Sequence, residues 1–191
     1  MKKIKILLII FIAIVGAVLI YKYTYRQENA NNDNLKVSAE YPLLDNNNIY
    51  VYRTADEIAN IINNGTGVIF FCIKESEWCQ YYVRYLNNVS SANGINQISY
   101  LNIKQDRRYN TSGYRKITEA LKEYLPTDDE GNKKIFTPNV VFVKNGNVIG
   151  FDNETSNIFE DINPSEYWTD EKIDEFKMRI TSYILEYKEE V

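Results

Sequence analysis

Few side chains in this chain can carry covalent chemistry. Two are cysteines, Cys72 and Cys79, with Ser76 between them. The 191 residues contain no histidine. Ser–His and Cys–His nucleophilic pairs are therefore excluded, as is any zinc site built on imidazole, and two thiolates cannot complete a four-thiolate zinc site. Carboxylates, thiols, hydroxyls and lysines are what remains. The run Asp128-Asp129-Glu130-Gly131 glances at a calcium loop, but Pro126 occupies the first ligand position and the spacing collapses. No glycine-rich phosphate cradle occurs. No metal and no cofactor is expected.

Cys72 falls in residues 68–73, VIFFCI, an unbroken apolar run of six, as a strand buried on both faces should be. Cys79 falls in the next element, a helix over residues 76–92 in which Trp78, Tyr82, Leu86 and Val89 form one apolar stripe. Ser76 takes the N-cap position of that helix, which suits serine. Upstream, residues 49–52 read as a short strand, and Thr54 with Glu57 forms a capping box opening a helix to about residue 63. Downstream, residues 98–103 form another strand, followed by a polar loop through Asn110. Tyr114, Ile117, Leu121 and Tyr124 then mark a third helix that stops at Pro126. Residues 140–143 and 148–151 flank Lys144-Asn145-Gly146-Asn147, a hairpin signal. Thr169 caps a last helix with Ile173, Phe176, Ile180, Ile184 and Tyr187 on its buried stripe. Helices between the early strands require parallel crossovers, while the late hairpin is antiparallel. The expected fold is α/β, a three-layer sandwich with a central mixed sheet flanked by helices.

Residues 67–80, GVIFFCIKESEWCQ, resemble the active-site strand and helix start of thioredoxin-like proteins. The likeness is greatest to small membrane-tethered members from Gram-positive bacteria, in which that turn reads Cys-Pro-Trp-Cys. Residues 136–150, FTPNVVFVKNGNVIG, resemble the family's cis-proline strand and closing hairpin. The resemblance runs from about Tyr41 to the C-terminus and implies a thioredoxin-like fold. It sets the family's first cysteine on Ser76, its proline on Glu77, its tryptophan on Trp78 and its second cysteine on Cys79.

A dithiol enzyme of that family holds its first cysteine at a helix N-terminus, where the dipole and free N–H groups stabilise a thiolate. The thiolate attacks a substrate disulfide and the second cysteine resolves the mixed disulfide. A serine hydroxyl is a far weaker nucleophile, and this chain has no histidine to activate it. The motif Ser76-Glu77-Trp78-Cys79 is therefore degenerate, and the two-thiol cycle is out of its reach. The buried carboxylate that some members place six residues before the first cysteine aligns with Phe70. The Thr137–Pro138 bond is expected to be cis and to present the Thr137 backbone to an extended ligand beside residues 76–79.

The candidate site thus comprises Cys79 and Ser76 for chemistry and Trp78, Thr137 and Pro138 for substrate binding. Cys79 has two readings: a thiol in the first helical turn that forms mixed disulfides, or a small buried hydrophobe. Cys72, within its apolar strand, reads as buried. A Cys72–Cys79 disulfide is not expected, because the strand end and a turn should set the Cα atoms beyond the ~7 Å limit. Two functions follow. One is a non-catalytic accessory module that binds an extended peptide segment or a thiol-bearing protein. The other is a monothiol disulfide oxidoreductase using Cys79. An exposed Cys79 favours the second, a buried one the first.

Residues 6–21 carry no charge and are bracketed by Lys5 and Lys22. Sixteen helical residues span about 24 Å against a hydrocarbon core of ~30 Å, a shortfall that snorkelling lysines can make up. Tyr21, Tyr23 and Tyr25 form an aromatic belt. A cleaved signal peptide is the competing reading: Val15-Gly16-Ala17 satisfies the small-residue rule, but apolar Val18, Leu19 and Ile20 follow at once. Either outcome places the domain outside the cytoplasm, and the anchor reading makes it a single-pass protein of the cell membrane. The expected organisation is a transmembrane anchor or signal segment over 1–25, a polar asparagine-rich tether over 26–40, and a domain over 41–191. Five of the 22 basic residues lie in residues 1–26 with no acid among them, leaving 17 against all 26 acids for the rest. An acidic domain behind a basic leader argues against a nucleic-acid partner.

Overall fold

The computed structural model describes residues 2–158 and 162–189, and their side chains except at 2–9, 23–31 and 157. Its strands are β1 (Tyr50–Tyr52), β2 (Gly67–Cys72), β3 (Ile98–Asn102), β4 (Asn139–Lys144) and β5 (Asn147–Asp152). They form one sheet in the order β1-β3-β2-β4-β5. β1, β3 and β2 run parallel, β4 is antiparallel to β2, and β5 is antiparallel to β4. The helices are α1 (Lys2–Glu40), α2 (Ala55–Asn64), α3 (Glu77–Ala92), α4 (Lys104–Tyr109), α5 (Ser112–Ala120), α6 (Pro164–Tyr167) and α7 (Asp170–Lys188), with a 3-10 turn at Glu154–Asn157.

Strand alternation sorts the core into two layers. In β2, Val68, Phe70 and Cys72 face a cluster with Tyr82 and Leu86 of α3, Phe176 and Ile180 of α7, and Val37 at the end of α1. Ile69 and Phe71 face the opposite cluster, with Ile58 and Ile62 of α2 and Tyr114 and Ile117 of α5. Both faces of β2 are covered, which explains its unbroken apolar run. The architecture is α/β, a five-stranded mixed sheet flanked by helices.

Local chemistry sets several boundaries. Thr54 Oγ1 accepts the Glu57 N–H and the Glu57 carboxylate accepts the Thr54 N–H, so the capping box that opens α2 is complete. Asn145 and Gly146, with φ of 51° and 75°, make the tight turn between β4 and β5. Thr169 Oγ1 accepts from the Lys172 N–H at the start of α7.

Three expectations are corrected. The polar loop before Asn110 is helix α4, which buries no residue and so leaves no apolar stripe in the sequence. The third helix ends at Ala120 rather than Pro126, because its continuation through Leu121 and Leu125 is a looser turn that still buries both leucines. The supposed tether over 26–40 is helical to Glu40, and its last turns are docked. Val37 and Tyr41, four residues apart, are fully buried on one face. The Asn48 side-chain amide donates to Asn34 O at 3.0 Å, Ser38 Oγ at 3.0 Å and Asp45 O at 2.9 Å, tying the helix end to the loop that follows it. Tertiary burial here overrides the weak helix propensity of an asparagine-rich stretch.

The expected span over 1–25 lies partly outside the described residues. Among the described residues, no helix is long and apolar enough to cross a membrane. Phe11, Ile12, Ile14 and Leu19 of α1 are exposed.

Candidate functional site

The antiparallel register of β2 and β4 runs from Gly67 opposite Val143 to Phe71 opposite Asn139. One further step of that register sets Cys72 beside Pro138. The end of β2, the turn that follows and the head of β4 therefore meet at one end of the sheet's central strands, and the Thr137–Pro138 bond there is cis. Thr137 lies beyond the last ladder pair.

The chain reverses directly after β2. The Ser76 N–H donates to Ile73 O at 2.9 Å, closing a turn that carries the start of α3 back over the strand end. This reversal overturns the expectation that Cys72 and Cys79 lie too far apart. Their Cα atoms are 6.0 Å apart and the two residues form a disulfide, well inside the range for such a bond. Both are fully buried. The Ile73 N–H donates to Cys79 Sγ at 3.3 Å. Neither cysteine is free, so in this state Cys79 offers no thiol.

Ser76 is the N-cap residue of α3, as its type suggests, but its side chain makes no capping hydrogen bond. Trp78 is half-buried and packs edge-on against Tyr167 of α6, with ring centroids 5.2 Å apart. Pro138 is buried and Thr137 half-buried. This end of the sheet thus brings Cys72, Cys79 and Pro138 together, while the Trp78 ring turns towards α6.

Several residues at this end of the sheet carried no signal in the sequence. Gln80 follows Cys79 and spends both amide protons: Nε2 donates to Lys74 O at 2.8 Å and to Glu40 O at 3.0 Å. Lys74 Nζ lies 3.4 Å from Glu40 Oε1. The Tyr100 hydroxyl, 2.9 Å from that of Tyr41, donates to Glu40 Oε2 at 3.3 Å. Burial pushes the Tyr41 and Tyr100 hydroxyls far above the ordinary tyrosine value, with Glu40 adding to it. Glu75, exposed within the turn, pairs with Lys104 Nζ at 3.1 Å, which holds its carboxyl below the usual range. The sequence pointed to Cys79 through its helix position, but nothing in residue type marks Glu40 or Gln80, because their roles arise from a contact forty residues apart.

Chemically, this end of the sheet holds a closed, buried disulfide, a serine with no histidine to activate it, and an irregular segment at Thr137. Compared with known proteins, the chain matches no family model, no curated protein and no solved structure.

Proposed function

We propose that this chain is a membrane-anchored, single-pass protein with its domain outside the cytoplasm. In this reading it has a thioredoxin-like fold with a degenerate redox motif, and serves as an accessory module that binds extended peptide segments rather than exchanging disulfides. The observation that carries the reading is the closure of both cysteines into one fully buried disulfide. The competing monothiol oxidoreductase needs an accessible Cys79 thiolate, which that bond removes. The mixed sheet with helices on both faces, the closing hairpin and the cis Thr137–Pro138 bond support the fold assignment. Thr137, half-buried and past the end of the β4 ladder, supports the peptide-binding role, since an extended ligand takes main-chain hydrogen bonds from such a segment. The exposed apolar side chains between Lys5 and Lys22 support the anchor; a mature protein whose intact mass begins at Val18 would refute it.

Thiol titration of the folded protein is expected to find no reactive thiol, and insulin reduction to stay at background. S-carboxymethylated insulin B chain serves as an extended-peptide probe. It is expected to change tryptophan emission on binding, with Thr137→Arg weakening the affinity at least tenfold at unchanged thermal stability. Wild-type insulin turnover that disappears in Cys79→Ala would overturn the proposal in favour of the monothiol enzyme.

A further inference from the structure

The turn closed by the disulfide is also the surface on which the end of α1 is fastened. Lys74 lies inside the loop that Cys72 and Cys79 close, and Gln80 directly follows it. The Gln80 amide joins the loop's own Lys74 carbonyl to the Glu40 carbonyl at the last residue of α1. The Glu40 carboxylate reaches back to Lys74 Nζ and takes the Tyr100 hydroxyl. Below this polar clasp, Val37, Tyr41, Cys72 and Cys79 share one continuous buried cluster. A reductant thus meets a fully buried disulfide, and freeing the 74–80 segment breaks the bonds it makes to Glu40 at the end of α1.

We infer that the end of α1 gates the Cys72–Cys79 disulfide, so that reduction of that bond and undocking of residues 33–44 are one coupled event. The reductant is a dithiol. Its first thiolate attacks one sulfur of the pair, forming a mixed disulfide and expelling the other cysteine as a thiolate, which takes up a proton. Its second thiolate closes the reductant's own ring disulfide and releases the remaining cysteine. Two electrons pass from the dithiol to the protein, leaving two protein thiols. With the link gone, residues 74–80 lose the closure that holds Lys74 and Gln80 in line with Glu40. The linkage is reciprocal: whatever loosens α1 exposes the disulfide, and whatever reduces the disulfide loosens α1. This goes beyond peptide binding and does not depend on it.

Hydrogen exchange read by mass spectrometry, on the full chain in mild detergent, tests the coupling. In oxidised protein the amides of residues 37–44 should be protected. In protein reduced with a phosphine they should exchange at least tenfold faster, while residues 176–184 of α7 stay protected. The Cys72→Ala, Cys79→Ala double variant provides an unlinked form without any reductant and should behave as the reduced protein does. In the other direction, Gln80→Leu and Lys74→Met should each raise the rate of reduction by dithiothreitol about tenfold. Lys116→Met, which removes a surface pair with Asp56 elsewhere on the domain, should leave that rate unchanged. Equal protection of residues 37–44 in the linked and unlinked forms overturns the inference, as do wild-type reduction rates in both clasp variants. Loosening of the whole domain on reduction also overturns it, because the disulfide would then be a global staple rather than a local gate.

Discussion

The Tyr82 hydroxyl donates to Asp152 Oδ1 at 2.8 Å, and Arg179 pairs with the other oxygen of that carboxylate while also meeting Glu154 Oε2 at 2.6 Å. Asp152 is buried, so each partner offsets part of the cost of holding a charge away from water. Tyr82→Phe is expected to lower unfolding stability by about 2 kcal/mol, the range for a hydrogen bond to a charged group, measured by urea denaturation. Asn139 is the opposite case. It is 1 % exposed, and neither its Nδ2 nor its Oδ1 has a hydrogen-bond partner among the described residues. Asn139→Leu, with the same branched four-atom side-chain skeleton, should raise stability by about 1 to 3 kcal/mol by removing that unpaired amide. The contrast shows what the sequence can carry at a candidate site. Residue type and position were enough to place Ser76 at a helix start and to bury Cys72. The disulfide was not legible, because pairing depends on the path of the 73–76 turn, and an inventory of apolar runs does not encode that path.

At the scale of elements, legibility follows whether an element buries a periodic stripe. Tyr82, Leu86 and Val89 of α3, and Phe176, Ile180 and Ile184 of α7, are buried as their spacing requires. Helix α4 has no such stripe and was unreadable, and the end of α1 was hidden by polar neighbours. Where capping chemistry is explicit, it yields a pH dependence. The Thr54 N–H bond holds the Glu57 carboxyl below its usual value, with the Thr54 hydroxyl adding to the effect. A carboxyl depressed on folding contributes stability that is complete above its unfolded pKa and is lost as pH falls through the folded one. Wild-type stability should therefore fall more steeply than that of Glu57→Gln as pH drops below about 4.5, in paired urea titrations. The hairpin gives a sharper case. Gly146 has φ of +75°, and a Cβ there would lie 2.5 Å from Asn63 O. Gly146→Ala should cost about 2 kcal/mol, combining left-handed strain with a backbone clash.

Across the whole molecule, the 16 tyrosines decide how the fold meets alkali. Tyr41, Tyr50, Tyr82 and Tyr100 are fully buried, and desolvation raises each hydroxyl well above its ordinary value of 10.0. The folded chain then keeps protons that the unfolded chain releases. The associated stability is complete below pH 10 and erodes as pH rises past it towards the folded values. Ultraviolet titration should show these tyrosines ionising only together with loss of the fold, at a pH above the ordinary tyrosine value of 10.0. The docked end of α1 has a practical corollary for anyone shortening the chain. β1 is an edge strand, and the Tyr52 N–H on it is taken by Asp33 of α1 at 3.2 Å. A version trimmed to begin at residue 41, where composition alone would cut, discards Val37 from the core and bares the Tyr52 N–H on that edge, an opening for self-association. Keeping the chain from residue 32 retains the helical turns that blunt that edge, so the two trimmed forms should differ in aggregation rather than in fold.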